Sequence, residues 1–296
     1  MKSKSVFKSL FLFVTVLMLF SVSVFAEETP VEPAPESATT ETPAPTPAPA
    51  PTPVLSGWVE QNGHWYFYNP KTHVMERNKI VGNKTGGYYY VGTDGIRVND
   101  ETTNLAVAFV RANTKSGQTA SQKLNACVKA FIKKYKFKDI GFVKDTNASK
   151  MQGFANEFFK KKKGSCLGHA SAVTYVAKVL GYKDSRVVFG VLSMHYKNYP
   201  NLSTNHGWAE VKKMTKEKKT KKIKVVKKGK NGKKKKKTKK ITYYVTSPKY
   251  KVYDLTFKRR YPKKKLTDVT RKKYAYKLKQ KKAFYLVLTN GTATWK

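Results

Sequence analysis

The sequence predicts an α+β chain: an apolar helix carrying a cysteine, strand-like segments after it, and a small β-hairpin module ahead of both. Three observations predict this. Ser165 is a suitable N-cap and Gly181 a suitable stop, and between them Cys166, Ala170, Val173, Ala177 and Leu180 recur at helical spacing. Segments 205–211 and 250–257 carry the β-branched and aromatic residues of strands. Residues 57–98 hold two aromatic-rich runs, each broken by a glycine-bearing turn.

Taken in order, residues 1–26 read as a secretion signal. Lys2, Lys4 and Lys8 precede an apolar run from Leu10 to Phe20, and Val24-Phe25-Ala26 offers small residues for cleavage. An uncleaved membrane anchor is the alternative; the short apolar core argues against it. No later segment reads as membrane-spanning, so the mature chain is expected to be exported and wall-associated without a transmembrane helix. Residues 27–56 hold nine of the 13 prolines and neither Lys nor Arg. Such a segment buries no apolar surface and favours extended polyproline II, which makes it an acidic spacer.

The charge then reverses. From Glu101 to Lys296 there are 52 Lys plus Arg against nine Asp plus Glu, a formal balance of +43, and only five of the 52 are Arg. Lys is a hydrated point charge without the bidentate fork of Arg, so the excess implies diffuse attraction to polyanions and no specific reading of nucleic acid. Anionic cell-wall polymers or anionic lipid are the partners an exported chain meets first. The competing account is a compositional bias that keeps the chain soluble. No cofactor is expected.

Residues 57–100 contain two related units, Gly57-Trp58-Val59-Glu60-Gln61-Asn62-Gly63-His64-Trp65-Tyr66-Phe67-Tyr68 and Ile80-Val81-Gly82-Asn83-Lys84-Thr85-Gly86-Gly87-Tyr88-Tyr89-Tyr90. Asn62-Gly63 and Gly86-Gly87 are expected to supply the positive φ of tight hairpin turns. The pattern resembles the choline- and glucan-binding repeats of bacterial surface proteins, whose paired aromatics hold choline or stack on sugar. That resemblance implies Trp58, Trp65, Tyr66 and Tyr68 as wall-ligand contacts, since aromatic faces attract quaternary ammonium groups and pack on apolar sugar faces. Val81 stands where the repeats carry Trp, and two units are fewer than a stacked array needs, so a structural spacer competes with ligand binding.

Over 121–135, Leu124, Cys127, Val128, Phe131 and Ile132 share one helical face, which reads Cys127 as a buried small hydrophobe. Cys166 differs. It falls in the first turn of its helix, where unpaired N–H groups and the helix dipole favour the reactive thiolate. A nucleophilic cysteine needs a base, and the base an orienting partner. His206 begins the strand-like segment 205–211, and Asp254 lies near the end of 250–257. Antiparallel pairing of the two segments would bring imidazole and carboxylate together.

A G-x-C helix, then H-x-W, then D-x-T-F, in this order over roughly residues 105–290, resembles the transglutaminase-like superfamily. The resemblance implies a papain-like core in which the cysteine helix packs on an antiparallel sheet. Carried over by motif, it makes Cys166 the nucleophile, His206 the base and later the acid, and Asp254 the group that fixes the imidazole tautomer. Trp208 would be packing. Members usually carry Pro after the Asp; here it is Leu255. A basic insertion at 212–240, with 18 Lys in 29 residues, separates the His and Asp segments. It reads as an extended hairpin with Ile223–Val226 and Ile241–Val245 as arm material and a turn at Gly229–Gly232. It would either recruit an anionic substrate or wall polymer, or be a solvated charge run.

The expectation is thus a catalytic region over 101–296 that performs acyl transfer on a protein or peptide amide through a thioester. Hydrolysis is the favoured outcome and protein crosslinking the alternative. A Cys127–Cys166 disulfide, a metal site drawn from Cys166, His169, His195 and His206, His195 as a rival base, and a non-catalytic basic wall protein are the competing readings.

Overall fold

The computed structural model describes residues 54–138, 143–194, 202–228, 231, 233–260, 263 and 276–296. The expected secretion signal, the linker up to residue 53 and His195 lie outside the described residues.

The chain begins with the antiparallel hairpin β1 (Gly57–Gln61) and β2 (His64–Tyr68). Asn62 and Gly63 both take left-handed φ, 52° and 73°, as a two-residue turn matched to strand twist requires. A three-stranded antiparallel sheet follows: β3 (Lys79–Asn83), β4 (Gly87–Val91) and β5 (Arg97–Val98). Its β3–β4 turn departs from the expectation. Asn83 pairs with Gly87, and of the expected Gly86-Gly87 couple it is Gly87 that is left-handed, at φ 78°. The longer turn is closed by Asn83 Oδ1, which accepts from the Gly86 amide at 2.6 Å.

This second hairpin is built into the main core. Tyr90 and Val98 belong to the central hydrophobic cluster. The Tyr90 hydroxyl donates to Asn78 Oδ1 at 2.6 Å, and Asn78 Nδ2 donates to the Gly181 carbonyl at 3.0 Å.

Four helices come next, interrupted by two short strands: α1 (Glu101–Asn113), α2 (Ala120–Lys134), β6 (Lys136–Phe137), α3 (Lys150–Lys161), β7 (Lys163–Gly164) and α4 (Cys166–Val179). Helix α2 matches the expected span within a residue, with Thr119 and Gln122 forming a capping box and Leu124, Cys127, Val128 and Phe131 buried. Every residue of α4 from Leu167 to Val179 is buried, because α1, α2 and α3 pack around it on one side and the sheet on the other. Small residues at Gly168, Ala170, Ser171, Ala172 and Ala177 let those neighbours approach.

The main sheet runs β10-β9-β8-β11-β12, with every adjacent pair antiparallel. Its strands are β8 (Ser185–Met194), β9 (Leu202–Lys228), β10 (Lys234–Tyr253), β11 (Tyr276–Thr289) and β12 (Thr292–Trp295), with helix α5 (Leu255–Arg260) after β10. Strand alternation divides β9. Ala209 and Val211 join the core beneath α4, and His206, Trp208 and Glu210 fall on the opposite register.

Two expectations about the second strand change. It ends at Tyr253 instead of continuing to Phe257, and Asp254 heads helix α5. The basic insertion is a hairpin whose strands extend in unbroken register from Ala209–Tyr253 to Lys228–Lys234. Residues 229, 230 and 232 of its expected turn lie outside the described residues.

Candidate active site

Local sequence places the sulfur. β6 and β7 pair in parallel and lead directly into α4. Ser165 is extended, at φ −75° and ψ −179°, and its Oγ accepts from the Gly168 amide at 3.4 Å. Its carbonyl accepts from the His169 amide at 3.0 Å. Helix geometry leaves the N–H groups of Cys166 and Leu167 without an intrahelical acceptor, so the half-buried Cys166 sits at the electropositive end of α4.

His206 approaches from β9, 4% exposed, and Nε2 lies 2.9 Å from Asp254 Oδ2. The other ring nitrogen, Nδ1, is thereby left free to face Cys166, whose sulfur is close enough to raise the imidazole pKa. Burial pulls the imidazole pKa down. The Asp254 carboxylate, by charge and hydrogen bond, and then the Cys166 sulfur outweigh it and hold the ring up at about 10.

Asp254 is oriented by its place at the head of α5. Oδ1 accepts from the Thr256 and Phe257 amides at 2.9 and 3.2 Å, which leaves Oδ2 for the histidine. This is N-cap chemistry, and the correction to the strand boundary explains how the carboxylate is fixed.

Gly207 sets the spacing between strand and helix. A Cβ there would lie 2.6 Å from Leu167 Cδ2, so any larger residue would force the buried Leu167 side chain to move where β9 meets the first turn of α4. Trp208, 3% exposed, places its indole against the imidazole, with ring centroids 6.2 Å apart and planes at 28°. Its Nε1 donates to Glu210 Oε1 at 3.0 Å. Glu210 Oε2 accepts from Arg186 Nε and Nη2 at 2.9 and 2.7 Å, and Arg186 Nη1 donates to the Tyr285 hydroxyl at 2.6 Å. Gly207, Glu210 and Arg186 were missed by sequence reasoning. For Glu210 a signal existed: it stands four residues beyond His206, on the same register of one strand.

The competing sequence readings resolve differently. Cys127 and Cys166 are both free thiols, which removes the disulfide from this structure. Burial pushes the Cys127 thiol up to about 12, that of an inert core residue. His169 lies against the rings of Phe137 and Phe158, at 5.9 and 4.4 Å. Among the described residues there is no group of three or more His, Cys, Asp or Glu placed to hold a metal ion.

The four aromatics considered for wall ligands do not converge on one face. Register sets Trp58 opposite Phe67 and Trp65 opposite Glu60 on one face of the hairpin, and Tyr66 opposite Val59 and Tyr68 opposite Gly57 on the other. Trp58 packs edge-on to Phe67 and to Tyr89, at 5.1 and 5.8 Å. The Arg97 guanidinium lies 3.5 Å from the Tyr89 ring and 5.7 Å from that of Trp58. Trp65 is 41% exposed.

Comparison with known families gives one match. Residues 107–219 match the model described as Transglutaminase-like superfamily. That stretch runs from α1 into β9 and contains Cys166 and His206, with Asp254 beyond its end. Members of the superfamily are typically cysteine enzymes acting by acyl transfer. No curated protein and no solved structure matches the chain. No helix among the described residues is long and apolar enough to cross a membrane.

Proposed function

We propose, from a transglutaminase-like domain at residues 107–219, that the chain is an exported cysteine enzyme that hydrolyses an amide of a protein or peptide through Cys166, His206 and Asp254. The observation that supports this most is the buried imidazole bonded through Nε2 to a carboxylate, with a helix-terminal sulfur among the groups that raise its pKa.

In this reading the Cys166 thiolate attacks the carboxamide carbon and the charge gathers on oxygen near the N–H of Cys166. The C–N bond then breaks, His206 gives its proton to the departing amine, and a thioester remains. His206, now neutral, takes a proton from water as the water oxygen adds to the thioester. The C–S bond breaks, the acid leaves, and the thiolate and imidazolium are restored. Asp254 accepts a hydrogen bond from Nε2–H throughout and holds the ring with its other nitrogen toward sulfur.

Export rests on the character of residues 1–26, and wall association on residues 57–100. Within that module the exposed Trp65 is the residue best suited to stack on a glycan.

The test is turnover of a glutamine-containing peptide in the presence of a labelled primary amine. Release of ammonia without label is expected. Label in the peptide would turn the reading to crosslinking. Cys166→Ala should lower either activity by on the order of 10³-fold or more with an unchanged circular dichroism spectrum; equal turnover by that variant would remove the catalytic assignment.

A further inference from the structure

Beyond Val211, β9 has lost β8 as a neighbour and pairs with β10 alone. The 17 residues from Lys212 to Lys228 carry this two-stranded ribbon roughly 55 Å at about 3.3 Å per residue, nearly all of it exposed. An isolated hairpin is marginal in water, and this one sets lysines directly opposite each other at Lys222–Lys240, Lys213–Lys249 and Lys228–Lys234. Blunting the open edges against strand addition needs only a few charges. Eighteen lysines in 29 residues far exceed that need, so the charge calls for a counter-charge from outside the ribbon.

The two faces differ. The face continuous in register with His206 and Trp208 carries Lys216, Lys218, Lys222 and Lys224 on β9, with Thr238, Lys240 and Thr242 opposite them or nearby on β10. Successive lysines two residues apart on this face stand about 6.6 Å apart along the strand. The other face carries an apolar diagonal through Val225, Ile223, Ile241, Tyr243 and Val245. It also holds Glu217, the one carboxylate in the sequence between residues 212 and 250, paired with Lys249. The first face also carries Met214, Val226 and Tyr244, and its β9 side chains from Lys212 to Val226 are all exposed, whereas Lys213, Thr215, Glu217, Ile223 and Val225 on the other are half-covered.

We propose that the His206-side face of the ribbon is the docking surface for a linear polyol-phosphate chain, the chemistry of anionic cell-wall polymers, laid lengthwise along the lysines. The ribbon has no Arg with which to grip planar carboxylates in two-point fashion, whereas a lysine meets the single charge of a phosphodiester equally well from any direction. A base-stacking mode has little to use. Of the aromatics on this face, Tyr244 already has the Lys216 ammonium 4.6 Å from its ring centroid and Tyr250 the Arg186 guanidinium at 3.9 Å. Because the same register continues to His206, a polymer so held runs toward the candidate active site. The proposal concerns binding and is independent of the acyl-transfer reading.

The experiment compares two quadruple variants of the full chain, equal in charge removed. One is Lys216→Gln, Lys218→Gln, Lys222→Gln and Lys224→Gln; the other is Lys219→Gln, Lys221→Gln, Lys237→Gln and Lys239→Gln. Binding of poly(glycerol phosphate) is followed by titration at several salt concentrations, with circular dichroism checking that both variants keep the wild-type spectrum. The first set should weaken binding by on the order of tenfold or more at 0.1 M salt, and lower the slope of log K against log salt by about 3, near 0.7 for each phosphate no longer neutralised. The second set should change affinity less than about threefold by the same counting. Equal losses from the two faces would overturn the proposal in favour of diffuse attraction, and so would absence of binding by the wild type. Poly-glutamate of matched charge should bind more weakly; equal binding overturns the preference for phosphodiesters. Tighter binding of an oligothymidylate of matched charge overturns the polymer in favour of nucleic acid. Turnover is not read in any arm, so failure here leaves the acyl-transfer reading standing.

Discussion

Strand β9 contains two regions that share a backbone and little else. From Leu202 to Val211 it pairs with β8, joined by β10 from Ala209 onward, and Gly207, Ala209 and Val211 are buried. From Lys212 to Lys228 it has one neighbour, and nearly every described side chain is exposed or half-exposed. The hydrogen-bond ladder to β10 begins at Ala209 and runs from the end of the inner segment through the outer one without a shift. Laddering therefore decides neither rigidity nor role. In the inner segment, burial and the Asp254 carboxylate fix the His206 ring. In the outer segment there is no layer to pack on, and what the strand offers is a charge every second residue.

The strongest way to sharpen the comparison is Asp254→Asn, which leaves packing nearly unchanged. Loss of the carboxylate should lower kcat by on the order of 10³- to 10⁴-fold, the scale for replacing a triad acid by its amide. It should also move the alkaline limit of activity downward, because Asp254 is a main cause of the raised His206 pKa. The sign for stability follows from the same shift. An imidazole raised from 6.5 to about 10 stabilises the fold fully below pH 6.5 and loses that contribution as pH rises through 10. Wild-type melting temperature should thus fall between about pH 7 and 11 by more than that of Asp254→Asn; parallel curves would show that the pair is not ionised as described.

Gly207→Ala tests whether close approach, and not sequence motif, sets the inner segment. The added methyl meets Leu167 at 2.6 Å and should cost about 1–3 kcal/mol in denaturant unfolding. Because the strain falls between His206 and the first turn of α4, kcat should drop with KM little changed. A stable, fully active variant would mean that strand and helix can separate without consequence.

Glu210→Gln should have a smaller effect. A glutamine can still accept from the Trp208 indole but leaves Arg186 without its ionic partner, at a cost of about 1–3 kcal/mol. Activity should fall less than with Glu210→Ala, which also releases the indole stacked on His206.

The smallest effect is expected from removing the outer segment. Replacing residues 216–246 with Asn-Gly joins Thr215 to its partner Ser247 through a two-residue hairpin turn. The melting temperature should stay within about 3 °C, and turnover of a short neutral peptide should persist. A larger fall would show that the ribbon helps to hold the core, and the two halves of β9 would no longer be separable.

Legibility in the sequence followed how local the determining interaction is. Helix α4 was readable because its cap, period and stop all lie within 165–181, and α2 because a Thr119–Gln122 capping box precedes a regular apolar face. The basic hairpin was readable from its composition. Helices α1 and α3 went unread. α1 buries Thr102, Thr103, Val107 and Val110, β-branched residues that favour strands, and α3 starts at Ser149 without a side-chain cap and contains Gly153. Asp254 was picked out as a residue but not as a cap, since Leu255-Thr256-Phe257 has strand composition while tertiary context makes it helical. The contact between Gly207 and Leu167 spans 40 positions, and no local pattern announces it.

The Asp254 carboxylate serves two clients at once, the imidazole through Oδ2 and the amides of Thr256 and Phe257 through Oδ1. Fraying of α5 and loss of the His206–Asp254 contact should accordingly be one event. Deuterium uptake at those two amides would then gauge how long the resting protein keeps its histidine in place, with no other molecule in the tube.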